Sequence, residues 1–145
     1  MKNLTISSPA FKNNNKIPPK YTCSGEDVNP QLDITGIPEE TKSLVLIIDD
    51  PDAPMGNWVH WIVWNIPPTN MIKEKSVPGV EGINDFGKHS YGGPCPPSGT
   101  HRYFFKVAAL DTELSLQVHT RKKDLEYAMT GHILAKGELI GLYKK

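Results

Sequence analysis

Two strongly apolar runs separated by a short acidic segment constrain the fold of this chain more than any other feature. The first run covers residues 43–48 and the second residues 58–66, and three aspartates and two prolines lie in residues 49–57. Branched and aromatic side chains dominate both runs, so each is predicted to form a buried strand. Charged groups at the edge of a core are costly unless they are paired. The acidic segment, next to His60, is therefore a candidate site.

Strict alternation of side chains predicts which residues share a face of each strand. Asp49 and Asp50, at the end of the first strand, point to opposite faces. In the second strand His60 lies on the face of Ile62, opposite Trp61. Asp50 is the aspartate that we place with the histidines of the candidate site.

A third strand is predicted over residues 101–110, directly after a loop rich in glycine and proline at residues 88–100. His101 and Tyr103 share one face, and Arg102 points to the other, where we expect it to pair with a carboxylate. The loop offers close backbone approach and unpaired N–H groups. Two imidazoles, a phenol and free amides would suit a phosphate-like or carboxylate-like anion.

The rest of the chain predicts a mainly β protein with one helix near its C-terminus. Short strands are expected at residues 4–7, 32–34 and 139–143, and helical spacing of apolar residues predicts a helix over residues 121–136. Prolines and glycines spread along the chain are typical of many short strands joined by shaped loops. Residues 1–145 are expected to form a single domain.

Charge and hydropathy exclude some classes of function. Lys+Arg and Asp+Glu both number 16, so the net charge is zero, whereas a nucleic-acid-binding protein is usually basic. No apolar run approaches the length of a membrane span, and the N-terminus lacks the apolar core of a signal peptide, so we expect a cytoplasmic protein. In a reducing compartment Cys23 and Cys95 are expected to be free thiols, with a disulfide as the alternative.

Three motifs together resemble the phosphatidylethanolamine-binding protein family, which includes the Raf kinase inhibitor proteins. They are Asp-Pro-Asp-Ala-Pro at residues 50–54, Trp-Val-His at residues 58–60, and the Gly/Pro-rich residues 93–103. Residues 21–30 and 84–87 are similar to the prokaryotic branch. The resemblance covers nearly the whole chain. It implies a two-sheet antiparallel β-sandwich-like fold with one or two peripheral helices near the C-terminus.

The resemblance also implies a small pocket that takes phosphate, acetate or a phospholipid headgroup. No metal or other cofactor is expected, because the candidate ligands lack a tight local spacing. The positions that match pocket residues or the pocket's backbone wall are Asp50, Asp52, Trp58, His60, Cys95, Pro96, Pro97, His101 and Tyr103. It further implies a cis peptide bond between Ala53 and Pro54, a geometry that proline makes accessible.

Asp50 in an anion site requires an explanation, because two like charges in a confined pocket repel. We expect this carboxylate to orient His60 or His101 so that a cationic imidazole faces the anion. Alternatively, a protonated carboxyl group donates a hydrogen bond to the anion. Either arrangement predicts tighter anion binding as pH falls from about 8 to about 6.

Three functions from different classes fit these residues. The first is a binding module for a small anion or a phosphorylated group. The second is a hydrolase or lyase, with or without a metal, although Ser98 and Cys95 have no base adjacent in sequence. The third, suggested by the resemblance, is a regulator or inhibitor of a protein kinase or protease. A homodimer is also compatible with the sequence.

Overall fold

Short and long β-strands make up most of the regular structure in residues 2–145, which are the residues that this computed structural model describes. A single turn of 3-10 helix, Pro19–Tyr21, follows the third strand. In chain order the elements are β1 (Lys2–Asn3), β2 (Thr5–Ser7), β3 (Asn15–Lys16), β4 (Leu32–Thr35), β5 (Ser43–Asp50), β6 (Trp58–Ile66), β7 (Met71–Ile72), β8 (Val80–Glu81), β9 (Thr100–Leu110), α1 (Lys122–Met129) and β10 (Ile133–Lys144).

The strands form two sheets, which confirms the expected fold class. The larger sheet has the order β1-β10-β9-β5-β6-β8, with β3 also paired to β10, and the smaller sheet has the order β2-β4-β7. The central pairs of the larger sheet, β10–β9, β9–β5 and β5–β6, are antiparallel, whereas β1 and β3 run parallel to β10.

The larger sheet is covered on both faces, as the continuous apolar run of β5 predicts. Leu46 and Ile48 belong to a core cluster between the two sheets, which also contains Ile34 of the smaller sheet. Val45 and Ile47 belong to a second cluster on the opposite face, beneath α1. We call these the inner and outer faces of the sheet.

The alternation predicted for β6 is wrong beyond His60 because the strand contains a β-bulge there. Ile48 is paired with Trp61, but the next residue of β5, Asp49, is paired with Val59, so His60 is an extra residue. A bulge places two successive side chains on about the same face. Trp61 consequently packs into the inner core, and His60 also faces inward, while Ile62 packs under the helix.

The helix predicted over residues 121–136 is shorter, because strand pairing replaces its second half. The helix α1 ends at Met129, and Gly131 has a φ of +82°, a conformation that glycine adopts without strain. From Ile133 onward the chain pairs with β9 along almost its full length. The helical spacing of apolar residues was thus overridden by the pairing of an adjacent long strand.

Candidate functional site

A cavity of about 240 Å³ lies at the end of the sheet where β5, β6 and β9 meet the Gly/Pro-rich loop. The sequence predicted all but four of its lining residues. The lining consists of Asp50, Ala53, Pro54, Met55, Trp58, His60, Phe86, Cys95, Pro96, Pro97, His101 and Tyr103. The unpredicted members are Ala53, Pro54 and Met55 of the acidic turn, and Phe86.

Asp50 and His101 form a buried pair on the cavity wall. Nδ1 of His101 lies 2.6 Å from Oδ2 of Asp50. The other carboxylate oxygen accepts a hydrogen bond from the backbone N–H of Asp52 at 2.8 Å. A carboxylate only accepts hydrogen bonds, so Nδ1 of His101 is assigned as the donor. This leaves Nε2 of His101 as the ring nitrogen available to a ligand.

His60 is held in a similar way by a backbone carbonyl. Its Nδ1 lies 2.6 Å from the carbonyl oxygen of Gly92, and a carbonyl cannot donate, so Nδ1 carries a proton. Burial lowers the pKa of His60 below the ordinary histidine value, which favours the neutral ring. The ring makes edge contacts with Tyr103 and Phe86. The bulge in β6 is therefore what brings this imidazole to the cavity.

Tyr103 supplies a phenol between the two histidines. Its ring stacks beside His101 and meets His60 edge-on, with centroid distances of 6.4 Å and 5.2 Å. Burial raises the pKa of Tyr103 well above that of a free phenol, so its hydroxyl stays protonated. The ring is almost fully buried, so packing holds it in place. The cavity wall therefore has a phenolic O–H group that can donate to a ligand.

Asp52, expected at the pocket, is instead paired with Arg102 outside the cavity lining. Nε and Nη2 of Arg102 lie 2.9 Å from the two carboxylate oxygens, and the backbone N–H of Arg102 donates to the same group at 3.0 Å. The Arg102 guanidinium lowers the pKa of Asp52 to about 2. Asp52 is thus the carboxylate partner that strand alternation predicted for Arg102. It ties the acidic turn to β9.

The two cysteines form a disulfide, so the expectation of free thiols is wrong. The bond joins Cys23 and Cys95, whose Cα atoms are 5.4 Å apart. Their loops also share backbone hydrogen bonds, including that from the Cys23 N–H to the Pro94 carbonyl, and Asp27 accepts from the Gly93 N–H. The sequence prediction gave most weight to a reducing compartment, whereas the proximity of the two loops decides whether the cysteines can pair.

The expected cis bond between Ala53 and Pro54 is also wrong, since no peptide bond in residues 2–145 is cis. The segment closes as a turn in which the N–H of Gly56 donates to the carbonyl of Ala53 at 3.1 Å. Gly56 has a φ of +106°, a conformation that glycine adopts without strain and that closes the turn.

Asn84 organises the loop that carries Phe86 and Gly92, and the sequence did not identify this role. Its Nδ2 donates to the carbonyls of His60 and Ser90, and its Oδ1 accepts from the N–H groups of Phe86 and Lys88. Every hydrogen-bonding position of this buried amide is thus used. The residue types at 84–87 signalled a defined loop but not its contacts.

Two further features bear on function. Within residues 2–145 no group of three or more His, Cys, Asp or Glu side chains is arranged to hold a metal ion. The one α-helix in that part of the chain is too short to cross a membrane.

Comparison with known proteins identifies the family. The family model described as phosphatidylethanolamine-binding protein matches residues 7–144. A UPF0098 protein of Pyrococcus horikoshii is 52% identical over 98% of this chain and 77% of its own length. A phosphatidylethanolamine-binding protein homolog from Chlamydia trachomatis superposes with a TM-score of 0.95, at 41% identity over 100% of this chain and 99% of its own. YbcL of E. coli superposes with a TM-score of 0.90, at 30% identity over 99% of both chains. The chain belongs to the phosphatidylethanolamine-binding protein family.

Proposed function

We propose that this protein binds a small anion, or the anionic group of a phosphorylated ligand, in the cavity formed by Asp50, His60, His101 and Tyr103. The observation that carries the proposal is that both imidazoles have Nδ1 tied to the protein and line the same cavity. The names of the relatives, which refer to a phospholipid with a phosphate in its headgroup, point to the same chemistry.

The size and surroundings of the cavity suit such a ligand. Its volume of about 240 Å³ is several times that of one water molecule, about 30 Å³, which leaves room for a phosphate group. Trp58, Phe86 and the prolines of the wall are apolar, so charge–dipole contacts with the ligand are weakly screened. The buried phenol and the two imidazoles held at Nδ1 require little reorganisation when the ligand enters.

Titration calorimetry with inorganic phosphate tests this function. We expect binding by the wild-type protein that becomes tighter from about pH 8 to about pH 6, because the complex holds more protons than the separated partners. The variants Asp50→Asn and His60→Ala should each lose most of the heat of binding while keeping the circular dichroism spectrum of the wild type. Affinity that stays constant or rises with pH would contradict the proposal.

A hydrolase or lyase is the second candidate, favoured by the orientation of His101. A buried carboxylate that holds Nδ1 of an imidazole leaves Nε2 directed to act as a general base. Cys95 cannot serve as the nucleophile while its sulfur is bonded to Cys23, so the attacking group would be water. Turnover of p-nitrophenyl phosphate or acetate that disappears in Asp50→Asn would support this candidate.

A regulatory role for a kinase or protease partner would use the same cavity if the partner carries the anionic group. Capture of a partner protein by the wild type but not by His60→Ala would favour this role. Equal capture by both proteins would place the interaction on another surface.

A further inference from the structure

The geometry points to a pocket that selects an oxyanion carrying its own proton, such as hydrogen phosphate or a phosphate monoester, over sulfate and acetate. In this arrangement the ligand O–H donates to Nε2 of His60. The inference rests on the proposed function and specifies the ligand class of the same site.

The hydrogen-bond donor and acceptor positions of His60 are fixed by the fold. Its Nδ1–H is used by the Gly92 carbonyl at 2.6 Å. Asn84 holds the two backbone segments of this contact together, because its amide donates hydrogen bonds to the backbone carbonyls of His60 and Ser90. The ring therefore cannot turn to present Nδ1–H to a ligand without breaking a buried hydrogen bond.

The remaining nitrogen of His60 is an acceptor directed at the cavity. Within residues 2–145 Nε2 of His60 makes no hydrogen bond. The atom is not fully buried, and because His60 lines the cavity, a ligand can reach Nε2 from there. In the neutral ring this atom carries a lone pair. A ligand oxygen that also offers only lone pairs would be repelled there, whereas a ligand O–H would be bound.

The neutral ring is favoured by the surroundings of His60. The titratable groups that share the cavity with it are Asp50 on β5 and His101 and Tyr103 on β9. Asp49, on the opposite face of the sheet, also favours the charged ring, and Asp85 accepts the N–H of the neighbouring Val59. Burial nevertheless lowers the pKa of His60, and this outweighs the aspartates. Protonating the ring to receive a bare anion is therefore costly.

The other polar groups of the cavity supply donors for the remaining oxygens of the ligand. The Tyr103 hydroxyl stays protonated, and the Gly/Pro-rich loop brings backbone groups to the wall. A phosphate group with one O–H matches this set, because it offers one donor and several acceptor oxygens. The dianion of inorganic phosphate and the monoanion of a phosphate monoester are both of this kind. A phosphate monoester has its second pKa at about 6, so the monoanion is well populated near neutral pH. Sulfate and acetate carry no proton in this range.

The proton balance is the same whether the proton stays on the ligand or moves to Nε2. One proton lies between the ligand oxygen and His60 in the complex. Inorganic phosphate carries an O–H even as the dianion, so the protons are counted with methyl phosphate, whose second pKa is about 6. At pH 8 methyl phosphate is almost entirely the dianion without a proton, so binding should take up about one proton per ligand, and at pH 6 about half a proton.

Calorimetry with phosphate and sulfate in buffers of different ionisation enthalpy tests the inference. We expect phosphate to bind about tenfold tighter than sulfate, or more, at pH 6, with acetate also weaker than phosphate. Nitrogen-15 shifts of the free protein should show His60 protonated at Nδ1 only. Methyl phosphate in a parallel titration distinguishes a monoester from free phosphate as the better ligand.

Two variants separate the acceptor role of His60 from general effects on the pocket. His60→Gln presents an amide that either accepts or donates, so the ratio of phosphate to sulfate affinity should fall to near one. Tyr103→Phe removes a donor and should weaken both anions alike, with the ratio kept. If His60→Gln does not fold, the proton uptake of the wild type with methyl phosphate at pH 8 decides, because binding without uptake would contradict the inference. Equal affinities for the two anions in the wild type would overturn this inference alone, whereas no binding of either would overturn the proposed function as well.

Discussion

Asp49 and Asp50 are adjacent in sequence and equally buried, yet they lie on opposite faces of the same sheet with different partners. On the outer face Oδ2 of Asp49 is 3.1 Å from Nζ of Lys106 and 3.6 Å from Nζ of Lys122. Asp49 does not line the cavity that Asp50 lines. On the inner face Asp50 is paired with His101 at the wall of the cavity.

The difference shows what makes a buried carboxylate a site. The two lysines of the outer group end in the ion pair, which ties β9 and α1 to β5. The imidazole of the inner pair is held through Nδ1, and its second nitrogen is left free for a ligand. We therefore expect changes on the outer face to affect stability and changes on the inner face to affect binding.

The largest expected effect is on stability, from the double substitution Lys106→Met and Lys122→Met. It leaves the Asp49 carboxylate buried with Asn57 as its remaining side-chain partner, which should cost about 3 kcal/mol of unfolding free energy. Urea denaturation measures this loss. Adding Asp49→Asn should restore most of it, because the uncompensated charge is removed. A loss below about 1 kcal/mol would show that the outer pair resembles an ordinary surface salt bridge.

Asp50→Asn should have a large effect on phosphate binding and a small effect on stability. Phosphate Kd should rise about 30-fold or more, corresponding to about 2 kcal/mol, because His101 is no longer held by a carboxylate. Calorimetry measures the affinity, and urea denaturation should show a change of about 1 kcal/mol or less. Asp49→Asn is the matched control and should leave Kd unchanged. Equal effects of the two variants on Kd would remove the distinction between the faces.

The pH dependence of stability should report on the inner face. The pKa of His60 is lower in the folded protein than the value of about 6.5 in an unfolded chain. The unfolded state therefore binds more protons at acidic pH, and stability falls as pH drops below about 6.5, by at most about 1.4 kcal/mol per pH unit. Thermal unfolding between pH 7.5 and 5 should show this slope. His60→Gln should reduce it, whereas the Lys106→Met and Lys122→Met variant should retain it.

The smallest effect is expected at Asp52 and Arg102, which lie outside both buried groups. Their pair is partly exposed, so Asp52→Asn should change the unfolding free energy by about 1 kcal/mol or less near neutral pH. Stability from this pair is present above about pH 4 and is lost as pH falls toward 2, since the pKa of Asp52 is lowered. Phosphate Kd should change less than about twofold. A large loss of affinity would place Asp52 in the site after all.

Much of this arrangement could be predicted from the sequence because β5 and β9 follow regular alternation. The opposite directions of Asp49 and Asp50, and the shared face of His101 and Tyr103, agree with the two core clusters. The family resemblance correctly indicated the fold, and most residues that it matched to a pocket line the cavity.

The rest depended on contacts that no local pattern encodes. The bulge that turns His60 inward arises from the register of β6 against β5. The Cys23–Cys95 disulfide requires two loops, 72 residues apart in sequence, to meet. The early end of α1 follows from the pairing of β10 with β9. Each outcome is a tertiary effect that overrides a local preference.

A crystal structure of the protein grown in phosphate tests the central claim most directly. The account predicts a phosphate in the cavity, with one oxygen about 3 Å from Nε2 of His60 and another within hydrogen-bonding distance of the Tyr103 hydroxyl. A cavity that holds only water at saturating phosphate, or phosphate bound solely at the exposed lysines near Tyr143, would contradict it.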